Sequence, residues 1–201
     1  DIKTITALKG YAATALTALT AQDTLSVHGV HEIPTDFVRL QMEVVIDDIG
    51  VDCIKTGMLH RSDVLNLVTQ TILEKAPEVP LVVDPVMVAK GGASLLREDA
   101  RLVIREQLLS YATVVTPNLP EAEIISGMEI RNESDMFEAA KKILDLGPDA
   151  VLIKGGHMDS DTVVDILVDG DGAERFFSER LKSVHTHGTG CTLASAIAVG
   201  L

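Results

Sequence analysis

Leu81-Val82-Val83-Asp84-Pro85-Val86-Met87 is the stretch whose reading decides the fold class. Three consecutive apolar residues with no polar alternation read as a strand buried on both faces, which belongs in a parallel sheet covered by helices. The run stops at Asp84-Pro85, so the strand delivers a carboxylate to its C-terminal end, where ligands collect in open α/β sheets. The same unit recurs on either side. Residues 52–56 form a short strand ending at Gly57-Met58-Leu59, and Ser62–Lys75 has the apolar spacing of a helix. Downstream, residues 98–109 read as a helix after Lys90-Gly91-Gly92, and 113–115 as a strand ending at Thr116-Pro117-Asn118-Leu119-Pro120-Glu121. Residues 133–146 read as a helix and Ala150–Ile153 as a strand ending at Lys154-Gly155-Gly156-His157.

Alternation of this kind predicts an α/β fold in three layers, a mostly parallel sheet with helices on both faces. Residues 162–168 and 173–178 flank Asp169-Gly170-Asp171-Gly172 and predict an antiparallel hairpin at the sheet edge. In the first fifty residues, 1–9 read as a helix ended by Gly10, 11–20 as a strand carrying Gln22 and Asp23, and 27–31 as an edge flap. A helix follows over 34–48, with Phe37, Leu40, Val44 and Val45 on its apolar face.

With 201 residues, 46% of them hydrophobic, the chain can bury one sizeable core, and a single domain over residues 1–201 is expected. A net charge of −13 argues against nucleic acid as a partner, because that affinity comes from Lys and Arg neutralising phosphates. Cys53 and Cys191 are the only cysteines and have no C-x-x-C spacing, which fits a reduced, cytoplasmic setting. No apolar run reaches the length of a membrane span. The chain opens on Asp1 and stops inside a helical pattern at Leu201, from which a segment of a longer protein is expected.

The chemistry gathers at the strand ends and at His185-Thr186-His187-Gly188-Thr189-Gly190-Cys191-Thr192, where two glycines precede a small-residue run that reads as a helix from about Gly190. The free N–H groups of a helix's first turn, together with its dipole, favour an anion there. A thiol at that place has a lowered pKa, so Cys191 is a candidate proton acceptor or nucleophile; the alternative is a small residue packed beneath a helix start. Lys154 can set an ammonium on a phosphate or stand in solvent. Asn118 and Glu121 can order water around Mg2+ or cap a helix. Asp84 can bind metal or simply close a turn. His157, His185 and His187 lack metal-pair spacing, and Met58, Met87 and Cys53 also suit a core. Neither G-x-x-x-x-G-K-[ST] nor G-x-G-x-x-G is present, so a nucleotide site must be built another way.

Residues 186–192 (T-H-G-T-G-C-T), with 16–24 (L-T-A-L-T-A-Q-D-T), 55–59 (K-T-G-M-L), 83–89 (V-D-P-V-M-V-A), 116–123 (T-P-N-L-P-E-A-E) and 154–157 (K-G-G-H), resemble the hydroxymethylpyrimidine and phosphomethylpyrimidine kinases of thiamin biosynthesis, within the ribokinase-like superfamily. The resemblance spans the chain in order, short of the family's N-terminal glycine-rich strand and C-terminal helices. It implies ATP- and Mg2+-dependent phosphorylation of 4-amino-5-hydroxymethyl-2-methylpyrimidine and then of its monophosphate. Cys191 would be the base, with the backbone from Gly188 to Cys191 as anion hole and Lys154 on the ATP phosphates. Asn118, Thr189 and Gly190 would share in nucleotide binding; Glu121, Asn118 and Asp84 would hold Mg2+; Asp1, Gln22 and Met58 would contact the pyrimidine. Pairing of two copies through the sheet edge is implied too. A pyridoxal kinase of the same lineage, a non-catalytic pyrimidine- or nucleotide-binding module and a cysteine hydrolase are the competing readings.

Overall fold

A computed structural model of the chain describes residues 1–24, 26–87, 104–158, 161–183 and 186–201. Its core is a six-stranded sheet. Strands β3 (Ile54–Thr56), β4 (Leu81–Val83), β5 (Val114–Val115) and β6 (Ala150–Ile153) run parallel in chain order, and β7 (Thr162–Asp169) and β8 (Ala173–Glu179) extend the sheet as an antiparallel hairpin. Because the strand order advances one way, right-handed crossovers place the connections on one face. These are α3 (Ser62–Lys75), a helical segment ending at Tyr111, α4 (Leu119–Ser126) and α5 (Glu133–Leu144). Helix α2 (Thr35–Asp48) packs on α3. On the other face, α6 (Thr189–Gly200) lies against β3 and β4, and α1 (Ile2–Ala7) packs on α6.

Strand alternation divides the core between the two faces. Leu81, Val83, Val151 and Ile153 join Leu65, Val68, Met136 and Ile143 in one cluster under α3 and α5. Val82 and Leu152 point the opposite way, towards the face where α6 buries Ala194 and Ser195. In register, Lys55 of β3 stands beside Val82, so this lysine also points to the α6 side.

Several expectations are corrected. The strand over 11–20 is observed only at β1 (Ala18–Gln22), which pairs with β2 (Val27–Glu32) in a separate two-stranded sheet. Nearly every residue of that flap is exposed, because its small and polar side chains have no second apolar face to bury. Residues 11–17 are instead pinned by side chains, with Gln41 bonding both the N–H and the carbonyl of Leu16, and Thr17 Oγ1 donating to the Met58 carbonyl. Helix α2 buries Val38 and Met42, while Phe37, Leu40 and Val44 face solvent. The helix carries two apolar stripes, and the one turned to α3 is fixed by ion pairs from Arg39 to Glu74 and from Lys75 to Asp47. Cys53 precedes β3 and is half-buried. Lys90-Gly91-Gly92, residues 98–103 of the expected helix, and His185 lie outside the described residues.

Candidate active site

Parallel strands end level with one another, so the residues following β3, β4, β5 and β6 meet at one edge of the sheet. The backbone N–H of Lys154 donates to the Pro117 carbonyl at 2.9 Å, and Asn118 and Lys154 form one further parallel bridge, which carries the register past the last strand residues. Asp84 is the hub. It is 2% exposed, and its Oδ1 accepts from Lys154 Nζ at 3.0 Å and from Thr116 Oγ1 at 3.4 Å. Lys55 Nζ stands 4.0 Å from its Oδ2 and 3.2 Å from Asp1 Oδ1, and Ser195 Oγ donates to that same Asp1 oxygen at 2.8 Å.

The Lys154 ammonium also reaches the start of α6. Gly188 caps that helix in the left-handed conformation, φ +77°, which a side chain would strain. A Cβ on Gly190 would sit 3.0 Å from Lys154 Nζ. The glycine therefore leaves a cradle in which a cation and the unpaired N–H groups of a twelve-residue helix converge, and phosphate oxygens fit that donor set. Gly155 is dictated by the strand beside it, since a Cβ there would lie 1.9 Å from the Val164 carbonyl. Its N–H donates to Asp165 at 2.8 Å, fixing the turn after Lys154.

Cys191 lies in the first turn of α6 with its thiol bonded to Asp84. The expectation of a lowered thiol pKa is corrected: burial raises it, the nearby Lys55 and Lys154 charges pull it down only in part, and the Asp84 carboxylate pushes it up again. At rest Cys191 is a protonated thiol that donates to Asp84, and in its ionised form a strong base.

Asn118 and Glu121 form a capping box at the start of α4. Asn118 Oδ1 accepts from the Glu121 N–H at 3.0 Å, and Glu121 Oε2 accepts from the Asn118 N–H at 2.9 Å. Glu121 Oε1 faces the Met87 N–H at 3.4 Å. Burial lifts the Glu121 carboxyl from 4.5 to about 7, with the Asn118 N–H and Lys154 opposing and Asp84 adding to the rise. A carboxylate this poorly compensated is suited to a cation brought in with a ligand; among the described residues no group of three His, Cys, Asp or Glu is placed to hold a metal unaided. The same pKa has a consequence for stability. The folded chain takes up a proton at Glu121 that the unfolded chain releases between pH 4.5 and about 7, so stability falls as pH rises through that window, by about 3 kcal/mol in full. Glu121→Gln keeps an acceptor for the cap. It is expected to melt above the parent near pH 8 and to lose that advantage by pH 5; equal melting curves at both pH values would contradict the assignment.

Of the residues singled out from sequence, the fold gathers Asp1, Asp84, Lys154, Gly188, Gly190 and Cys191, with Asn118 and Glu121 alongside. Thr189 Oγ1 is turned to the Thr186 carbonyl at 3.1 Å, which leaves its backbone to the cradle. Gln22 is exposed at the end of β1 and Met58 follows β3; among the described residues, no side-chain hydrogen bond joins either to the cluster. His157 sits in the turn after Lys154, where burial first and then the Lys154 and Arg180 charges lower its pKa. Lys55, Thr116 and Ser195 were not read from the sequence as site residues. Lys55 was visible as the one charged residue inside a three-residue strand.

A parallel sheet that ends in an aspartate–lysine pair beneath a glycine-capped helix is suited to receive a phosphorylated small molecule. The family model for phosphomethylpyrimidine kinase matches residues 1–201, and the chain belongs to that family. It is 48% identical over its whole length to the thiamine biosynthesis bifunctional protein ThiED of Geobacter sulfurreducens, of which it spans 41%. It is 45% identical to the hydroxymethylpyrimidine/phosphomethylpyrimidine kinase of Streptomyces coelicolor, spanning 74% of that protein. Among solved structures, an ADP complex of Bacillus subtilis pyridoxal kinase superposes with a TM-score of 0.89 at 41% identity, covering 98% of this chain and 74% of that one. The phosphomethylpyrimidine kinase of Clostridium difficile superposes at 0.87 with 37% identity, covering 99% and 81%.

Proposed function

We propose that this chain transfers the γ-phosphoryl of ATP to the hydroxymethyl group of 4-amino-5-hydroxymethyl-2-methylpyrimidine and then phosphorylates the monophosphate to the diphosphate. The observation that carries the reading is the convergence of Lys154, the Gly188–Gly190 helix start and Cys191 on Asp84, with the Asp1 carboxylate one lysine away. Phosphoryl transfer asks a protein chiefly for positioning and for charge around the moving group. Lys154 and the first N–H groups of α6 meet the phosphoryl oxygens. Asp1, with Gln22 and Met58 closing the ring's other sides, holds the pyrimidine. Cys191, as thiolate, takes the hydroxyl proton while the new O–P bond forms, the bond to the β-phosphate oxygen breaks and ADP leaves. Mg2+, held by Glu121, Asp84 and Asn118, would supply neutralisation of the phosphate charge.

The partners on this reading are small molecules. Among the described residues no helix is long and apolar enough to cross a membrane, and two free thiols suit the reducing cytoplasm. Two copies pair through the sheet edge, where Phe176 and Phe177 of β8 stand exposed.

The test is ADP release with Mg-ATP and, separately, the hydroxymethylpyrimidine, its monophosphate and pyridoxal. Turnover of both pyrimidines is the expected result. Turnover of pyridoxal alone would favour the second reading, supported by 44% identity to the pyridoxine kinase of Bacillus subtilis over 205 residues. No release above background with any of the three would overturn both.

A further inference from the structure

The Asp1 carboxylate is held in an unusual way for a residue half open to solvent. Both of its donors act on one oxygen: Lys55 Nζ at 3.2 Å from β3, and Ser195 Oγ at 2.8 Å from α6. Among the described residues nothing donates to its Oδ2. Both donors are withdrawn from water, the Lys55 side chain 8% exposed and Ser195 fully buried. A buried ammonium and a buried hydroxyl are costly without partners, and here the shared partner is this carboxylate, joined for Lys55 by Asp84.

We infer that Lys55 and Ser195 are positioning residues that clamp Oδ1 of Asp1, so that Oδ2 presents a fixed acceptor to the ring's amino group. The inference rests on the proposed function for Asp1's role. It accounts for a second geometric fact. Ser195 lies one helical turn beyond Cys191 on the same side of α6, so a single rigid helix sets the spacing, about 6 Å along its axis, between the ring anchor and the proton acceptor. Lys55 closes the same frame from the sheet, in a row Asp1, Lys55, Asp84, Lys154 whose charges alternate from the ring end to the phosphate end. Gly57 makes room for it, since a Cβ there would stand 3.1 Å from Lys55 Nζ.

The experiment is steady-state kinetics on the full chain carrying Ser195→Ala, Ser195→Thr or Lys55→Met, with thermal melts as a check on folding. Ser195→Ala is expected to raise KM for the hydroxymethylpyrimidine about tenfold while KM for ATP stays within about twofold, and Ser195→Thr to restore it. Lys55→Met, which touches both ends of the row, is expected to raise the pyrimidine KM and to lower kcat as well. Should Lys55→Met fail to fold, the serine pair carries the test alone. An unchanged pyrimidine KM in Ser195→Ala, or an equal rise in both KM values, overturns the clamp. If the unsubstituted chain itself ignores the pyrimidine, the proposed function falls first and the role of Asp1 falls with it.

Discussion

Replacing Cys191 with alanine lowers kcat by about 10²-fold or more and leaves KM for ATP nearly unchanged, the split expected for a group that acts only as the transition state forms. The raised thiol pKa adds a pH signature. A base must be deprotonated to work, and burial with the Asp84 contact holds the Cys191 proton above the ordinary thiol value, 9.0. The rate of the parent therefore continues to climb through the alkaline range, until the thiolate predominates. Cys191→Asp, whose carboxylate ionises below a thiol in the same surroundings, is expected to move that limb to lower pH while retaining more activity than Cys191→Ala. An alanine variant with the parent's kcat, measured by ADP release at saturating substrates, would remove Cys191 from the reaction.

Lys154→Met is the second large effect, and it has two parts. The Lys154 side chain is 14% exposed and its ammonium sits between Asp84 and the Gly190 cradle, so on the proposed reading its loss takes a charge-assisted contact from the incoming phosphates. KM for ATP is expected to rise by at least about tenfold, with KM for the pyrimidine far less affected. The loss also leaves Asp84, among the described residues, with Lys55, Thr116 and the Cys191 thiol, which costs about 1–3 kcal/mol in stability, below the cost of a wholly unpaired buried charge. Titration of ATP KM together with a denaturant melt separates the two parts. ATP kinetics matching the parent's would show that Lys154 serves Asp84 alone.

Local pattern reached those parts of the fold where pattern alone decides. Helix α3 and strands β4 and β6 fall where the sequence places them, because an unbroken apolar run or a clean helical period admits one reading. The face of α2 was not legible. Phe37, Leu40 and Val44 make as good a stripe as Val38 and Met42, and only the presence of α3 chooses between them. Strand β1 is shorter than the expected 11–20 because small residues and threonines satisfy β-propensity without showing which sheet they join. The same division runs through the site. Glycines before a helix announce the cradle at Gly188 and Gly190, whereas nothing in the local pattern marks Ser195, and Lys55, the one charge inside a short strand, has no visible partner until the fold sets Asp1 between them. The proton affinity of Cys191 is not legible in the sequence for a related reason. Its position at a helix start is visible in sequence; the burial and the Asp84 contact that outweigh that position are tertiary.

The central claim is that one site phosphorylates the pyrimidine twice, and the most direct measurement follows 31P resonances in a single reaction of the full chain with Mg-ATP and the hydroxymethylpyrimidine. A phosphate monoester signal that rises first and then gives way to a diphosphate pair, with two ADP formed per pyrimidine consumed, is the predicted result. ATP resonances that stay unchanged with the pyrimidine, while pyridoxal supplied in its place yields its phosphate, would contradict it.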